Sequence, residues 1–273
     1  KYDESFKYIS LALKLDPNFP DAWNTFGMHN YKLGKLSEAK KCFLKALKLE
    51  PNLHKASYNL GILLIREGNF KKGWFEREKK RKVELELIRD NLDNYWKGEY
   101  VNGTLYVWRE QGLGEEILFS SNLLLLKNLA KKVILEVDER LVGLLGRYFK
   151  MKNFDNIQII PYNFNKTGNR SIAHNIKASD KHISLGSIGM YLLNDKKKFQ
   201  SIKCPYLIPD PKKINQIKSK LFNKGKIKIG LSWKTGNKEE IYRNLPIQKW
   251  ESLFKINNCE FYNLQWGDYI EDI

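Results

Sequence analysis

The chain has 273 residues, 42% of them hydrophobic and 13% aromatic, which is too apolar for a disordered protein and enough for one large or two modest domains with their own cores. Lys and Arg number 48 against 31 Asp and Glu, a formal net charge of +17. The excess is mostly Lys scattered along the whole chain instead of one stripe interleaved with aromatics, so nucleic acid is not the expected partner, while anionic substrates and a membrane surface are left open.

The first pattern is a repeat. Leu15-Asp16-Pro17-Asn18 recurs as Leu49-Glu50-Pro51-Asn52, an offset of 34, and Gly27 and Ala12 recur at the same offset as Gly61 and Ala46. Trp23, Gly27, Ala39, Phe43, Ala46 and Pro51 occupy the positions at which tetratricopeptide repeats place their large and small packing residues. Small residues let two antiparallel helices approach, Trp23 and Phe43 fill the gap, and Pro51 stops the second helix. Residues 1–83 are therefore read as tetratricopeptide repeats. The last copy is atypical, with Trp74 and Phe75 where small residues are usual, as in a terminal repeat whose second helix docks onto another domain; for Trp74 itself plain core packing is the favoured reading. A polar linker is expected over 84–103.

From residue 104 the period changes. Thr104–Trp108 is a short β-rich run, followed by the turn Arg109-Glu110-Gln111-Gly112-Leu113-Gly114 and a helix over about 115–131. Strands are expected at 132–137 and 157–160, with a helix over 139–149 between them. Strand, helix and strand with short connections predict parallel crossovers, and ligands of such sheets bind at the carboxyl ends of the strands. Residues 104–224 form this lobe. A second begins at 225, with a strand over 226–233, a polar turn, a helix from Pro246 to about Lys255 and a strand over 260–264. Fewer than fifty residues are short for a doubly wound domain, so the second lobe is expected to be incomplete and the chain a fragment cut at both ends.

The segment Trp108 to Phe119, with its Gln111-Gly112-Leu113-Gly114 core, resembles the opening loop of glycosyltransferases of the heptosyltransferase type (family 9). More narrowly, the order of repeats, Gly73-Trp74, the loop, the His182 segment and Gly230-Leu231-Ser232-Trp233 is similar to bacterial proteins in which tetratricopeptide repeats precede such a domain. The resemblance implies an α/β fold with N-terminal all-α repeats: a tetratricopeptide α-solenoid followed by two Rossmann-like lobes of the GT-B type, acceptor side first, donor side second and truncated. It implies an inverting transfer of sugar from a nucleotide-sugar donor, with a carboxylate after the loop glycine as catalytic base. That residue is usually Asp in the family, and Glu115 holds the matching position here. Gln111, Gly112, Gly114 and His182 are implied to line the acceptor cleft, and Lys234, Thr235 and Arg243 to hold the donor phosphates.

The residues suit these roles. A helix N-terminus favours the charged form of a carboxylate, and a base must take the acceptor's proton as its oxygen attacks the anomeric carbon. Glu115 and Glu116 point about 100° apart on a helix, so both cannot face one cleft. Against these roles stand plainer ones: a helix-capping acid, a solvated basic loop and a structural histidine. No Asp-x-Asp occurs in the chain, so transfer without metal is expected, with no cofactor besides the donor substrate. The loop lacks the third glycine of a dinucleotide fingerprint, because Ile117 stands there. Cys42, Cys204 and Cys259 are odd in number and far apart, which fits neither a disulfide scaffold nor a zinc site. The location expected is the cytoplasm, including the inner face of the membrane, and the repeats are expected to recruit a protein or glycan acceptor. The competing reading is a non-catalytic tetratricopeptide scaffold with a degenerate glycosyltransferase-like domain; charge-driven RNA binding is the weakest.

Overall fold

Five helices open the chain: α1 (Tyr2–Leu15), α2 (Pro20–Lys32), α3 (Leu36–Leu49), α4 (His54–Arg66) and α5 (Phe70–Ile88). They belong to a computed structural model that describes residues 2–88, 94–109, 112–162, 180–200, 206–221, 225–234 and 244–265. The 34-residue period is visible in the turns. Gly34 and Gly68 take positive φ of 76° and 82° between α2 and α3 and between α4 and α5, a conformation that costs a side chain about 1–2 kcal/mol. It is equally visible in the contacts. Ala39, Phe43 and Ala46 are fully buried on α3. A Cβ on Gly27 would stand 2.6 Å from the Phe43 ring. The same approach recurs between α4 and α5, where a Cβ on Gly61 would stand 2.6 Å from the backbone nitrogen of Arg77. Trp23 stays half-buried beside Ala46 and Ala56 and donates its Nε1–H to the Pro17 carbonyl at 2.8 Å.

The α/β region holds β1 (Val101–Trp108), β2 (Ala130–Asp138), β3 (Ile157–Tyr162) and β4 (Lys181–Ser184). All pair in parallel, in the order β3-β2-β1-β4. Val107 lies between Leu135 on β2 and Ile183 on β4, and all three are buried. With both faces covered, such strands carry apolar residues throughout. The chain runs outward from β1 through β2 to β3 and then returns to place β4 on β1's other side, which makes β1/β4 the switch point at which parallel sheets bind ligands.

Some boundaries differ from the sequence reading. The helix expected over 115–131 is α6 (Leu113–Ser120), which tightens into a 3₁₀ turn over Ser121–Leu126. Ser120 and Ser121 donate their hydroxyls back to the Ile117 and Leu118 carbonyls, at 2.8 and 2.9 Å, while Leu123 and Leu126 are drawn fully into the core. β2 consequently begins at Ala130. α7 (Glu139–Met151) follows, its first turn capped by the Asp138 carboxylate, which accepts from the Arg140 amide at 3.0 Å. Within the segment read as a linker, Trp96 is fully buried, and the chain beside it exchanges bonds with His182 on β4. After β4 come α8 (Ile188–Leu192) and α9 (Lys196–Gln200).

Residues 1–209 form one unit and residues 210–273 another. The second holds α10 (Pro211–Leu221), the parallel pair β5 (Ile227–Leu231) and β6 (Cys259–Asn263), and between them a 3₁₀ turn at Ile247–Trp250 leading into α11 (Glu251–Phe254).

Two glycine substitutions separate the effects. Gly61→Ala forces backbone apart and is expected to destabilise the first unit by about 3 kcal/mol. Gly34→Ala, which meets nothing within 4 Å, is expected to cost only its positive φ, about 1 kcal/mol. Urea unfolding of both variants measures the difference.

Candidate functional site

The last repeat helix is anchored to the α/β region beside the carboxyl end of β4. Trp74, buried on α5, donates its Nε1–H to the Leu193 carbonyl at 3.2 Å. Gly189 on α8 lies flat against its ring; a Cβ there would stand 2.3 Å from it. Arg77 lies three residues on, on the same face of the helix. Its Nη1 donates to the Gly186 carbonyl at 2.9 Å and to the Glu78 carboxylate at 3.3 Å. The guanidinium lies within 5.0–5.7 Å of the rings of Phe119, Trp74 and Tyr58. Glu78 accepts the Ser187 hydroxyl on both oxygens, at 2.9 and 2.8 Å, and Ser187 is bonded to Ser184 at 2.7 Å. Phe70 stacks on Phe199 at 5.2 Å. Thus the docking helix reads the 3₁₀ turn that leaves β4, next to the switch point.

β1 feeds the other side of that point. Gly112, extended, stands at the N-cap of α6, and Glu115 is the third helical residue. Two adjacent carboxylates have separate surroundings. Glu116 is fully buried; it accepts from Arg109 Nε and from the Asp138 amide, both at 2.7 Å. Burial pushes its carboxyl above the usual range, against the lowering effect of the Asp138 amide and Arg109. Arg109 also stacks over Tyr162 at 4.4 Å. Glu116 therefore ties α6 to the end of β2. Glu115 is half-buried and faces elsewhere, into a cavity of about 520 Å³.

This cavity lies along the repeat–sheet junction. Its repeat wall is Tyr58, Ile62 and Ile65 of α4 with Trp74 and Arg77 of α5. The opposite wall includes Glu115, Leu118 and Phe119 of α6, together with Leu193, Phe199 and Tyr206. Tyr206 is held by a hydrogen bond from its hydroxyl to the Ile117 carbonyl. The surface is mostly apolar; its charged residues are Glu115 and Arg77, and Tyr58, Ser121, Asn122 and Tyr206 are its other polar residues.

The residues singled out in the sequence are distributed as follows. Glu115 lines the cavity, and Gly112 and Gly114 lie at the start of α6. His182 does not line it. It is buried on β4, its backbone bonded to Asn94 and Trp96 and its ring edge-on to Tyr95 at 5.5 Å. Gln111, Thr235 and Arg243 lie outside the described residues. Lys234 belongs to the second unit, in the turn after β5. That turn is organised by a residue the sequence did not flag: the Gln265 side-chain oxygen accepts from the Ser232 hydroxyl and from the Trp233 and Lys234 amides, at 3.0–3.1 Å, while its nitrogen donates to the Lys234 carbonyl at 3.1 Å. Arg77 and Glu78 were also missed. Within Glu76-Arg77-Glu78-Lys79 they look like a solvated charge run, and only their register with Trp74 could have set them apart.

A tetratricopeptide-repeat family model matches residues 20–53. The chain is 26% identical to Protein FlbA of Caulobacter vibrioides over 285 residues, covering 98% of this chain and 47% of that protein. It is 30% identical to tetratricopeptide repeat-containing protein trd-1 of Caenorhabditis elegans over 99 residues, 36% of this chain and 12% of that one. The chain thus spans at most about half the length of either relative. Among solved structures, a mutant of the Thermobaculum terrenum O-GlcNAc transferase aligns over 56% of this chain and 41% of its own, at 12% identity and a TM-score of 0.27. The class defined by the fold and the repeat match is a tetratricopeptide-repeat protein whose helical repeats lead into a parallel-strand α/β region.

Glu116→Ala is expected to destabilise the first unit by about 3 kcal/mol, because the Asp138 amide and Arg109 lose their acceptor, whereas Glu116→Gln retains an acceptor and costs about 1 kcal/mol. Denaturant unfolding checks the ranking. The Asp138 carboxyl, held down to about 2 chiefly by the Arg140 side chain, contributes stability that is full above its ordinary 3.8 and is lost as pH falls toward 2. In Arg140→Ala its carboxyl carbon, followed by NMR titration, is expected to move back toward the ordinary range.

Proposed function

We propose that the chain is part of a glycosyltransferase that moves a sugar from a nucleotide-sugar donor to an acceptor hydroxyl with inversion and without metal. The observation that carries this reading is Glu115: a half-buried carboxylate in the first turn of the helix that follows the first strand of a parallel sheet, lining a cavity large enough for a substrate. In the proposed step Glu115 takes the proton of the acceptor hydroxyl. The acceptor oxygen forms the new bond to the anomeric carbon as the bond from that carbon to the nucleoside diphosphate breaks. The diphosphate leaves as an anion. Lys234, Thr235 and Arg243 are the residues proposed to receive it; of these, Lys234 has its backbone held by the Gln265 side chain. The repeats are proposed to recruit the acceptor.

One observation favours a second reading, a tetratricopeptide scaffold without catalysis: the family-level match lies in the repeats alone. The two readings part on one experiment with the full-length protein. A panel of UDP-, GDP- and ADP-linked sugars is tested for binding and turnover in wild type and Glu115→Gln. The glycosyltransferase reading expects one donor to be bound and turnover to fall by about 10²–10⁴-fold in the variant. Undiminished turnover rejects Glu115 as base, and absence of any bound donor leaves the scaffold.

A further inference from the structure

The junction cavity offers a sugar few partners: apart from Glu115 and Arg77, its polar lining is the Asn122 amide and the hydroxyls of Tyr58, Tyr206 and Ser121. A saccharide carries several hydroxyls, and each one buried without a partner costs about 1–3 kcal/mol. Ile62, Ile65, Leu118 and Leu193 offer no partner. Two hydroxyls on the α/β side are already turned elsewhere, Tyr206 to the Ile117 carbonyl and Ser121 to the Leu118 carbonyl. What the cavity does offer is spare capacity on Arg77. This residue is only 4% exposed, yet both of its hydrogen bonds, to Gly186 and Glu78, leave from Nη1. Nε and Nη2 donate to nothing among the described residues. The aromatic rings around the guanidinium hold it in place against the cavity, where the remaining donors of its rigid fork suit an oxygen acceptor.

We infer that this cavity is the acceptor subsite, and that it takes an apolar aglycone carrying one hydrogen-bond-accepting oxygen, which Arg77 binds, while the aglycone's hydroxyl is directed to Glu115. The role of that hydroxyl rests on the glycosyltransferase reading; the binding chemistry does not. Arg77 is then a specificity-determining residue contributed by the repeats, which supply five of the thirteen residues lining the pocket.

The test uses 6-hydroxy-2-naphthoate, an aromatic body with a hydroxyl at one end and a carboxylate at the other. It is titrated into the full chain and followed at the Trp74 indole N–H resonance, assigned with Trp74→Phe. A saturable one-site shift is expected, and methyl β-glucopyranoside at the same concentrations should leave the resonance unmoved. Leu118 is 63% exposed, so Leu118→Asp leaves the fold intact, and it should weaken naphthoate binding by about tenfold. Arg77→Lys retains the charge, loses the fork and should weaken binding by about fivefold. A glucoside that shifts Trp74 as readily as the naphthoate, or naphthoate binding indifferent to both variants, overturns the inference. Naphthoate binding as described alongside full transfer by Glu115→Gln removes the base and keeps the subsite. Transfer that depends on Glu115 without any naphthoate effect at Trp74 removes the subsite alone.

Discussion

A buried arginine–glutamate pair within one turn of α5 decides where the repeats meet the sheet. Arg77 and Glu78 are nearly inaccessible to solvent, and each has a specific partner across the junction, the Gly186 carbonyl and the Ser187 hydroxyl. Removing one member of such a pair leaves an uncompensated charge in a medium that solvates it poorly, at a cost of about 3–5 kcal/mol. Trp74 supplies the apolar area and one directional bond, to the Leu193 carbonyl, and the charged pair adds its own to Gly186 and Ser187. The register of α5 on the sheet is therefore set by polar chemistry and made favourable by apolar burial.

The site follows from that register. The turn after β4 holds the docking helix, and the helix after β1 presents Glu115 to the space that remains. Adjacent positions on α6 divide the work. Glu116 turns inward, satisfied by Arg109 and the Asp138 amide, and fixes the helix to the end of β2. Glu115, a third of a turn away, is left over for the cavity. The arrangement needs no strain in α6: Gly112 is simply extended at the cap, and the Glu116 amide begins the helical ladder on its carbonyl at 3.0 Å.

Much of this architecture could be read before any coordinates. The 34-residue spacing of glycines, alanines and prolines foretells paired helices because close packing admits only small residues at set places. The β-rich runs separated by helical stretches foretell parallel strands because a short connection cannot return a parallel strand without a crossover. What could not be read depends on partners distant in the chain. Nothing near Arg77 announces Gly186, which lies 109 residues away. Nothing near Gln265 announces that its amide would bracket the backbone at Lys234. The early end of α6 is a local event, but its cause is the pull of Leu123 and Leu126 into a core that the local pattern does not describe. For His182 the sequence offers both a chemical and a structural role, and its burial on β4 beside Tyr95 depends on residues that lie far from it in the chain.

α5 has 19 residues, so it is a strut about 28 Å long. One end closes the repeat stack and the other runs on toward the segment that precedes β1. Tyr58 and Ile62 are carried by its neighbour α4, which touches α5 at backbone distance through Gly61 and Gly73. A stack joined this tightly has little slack between its last two helices, so the residues they give to the cavity wall, Tyr58 and Ile62 from one and Trp74 and Arg77 from the other, keep a fixed spacing.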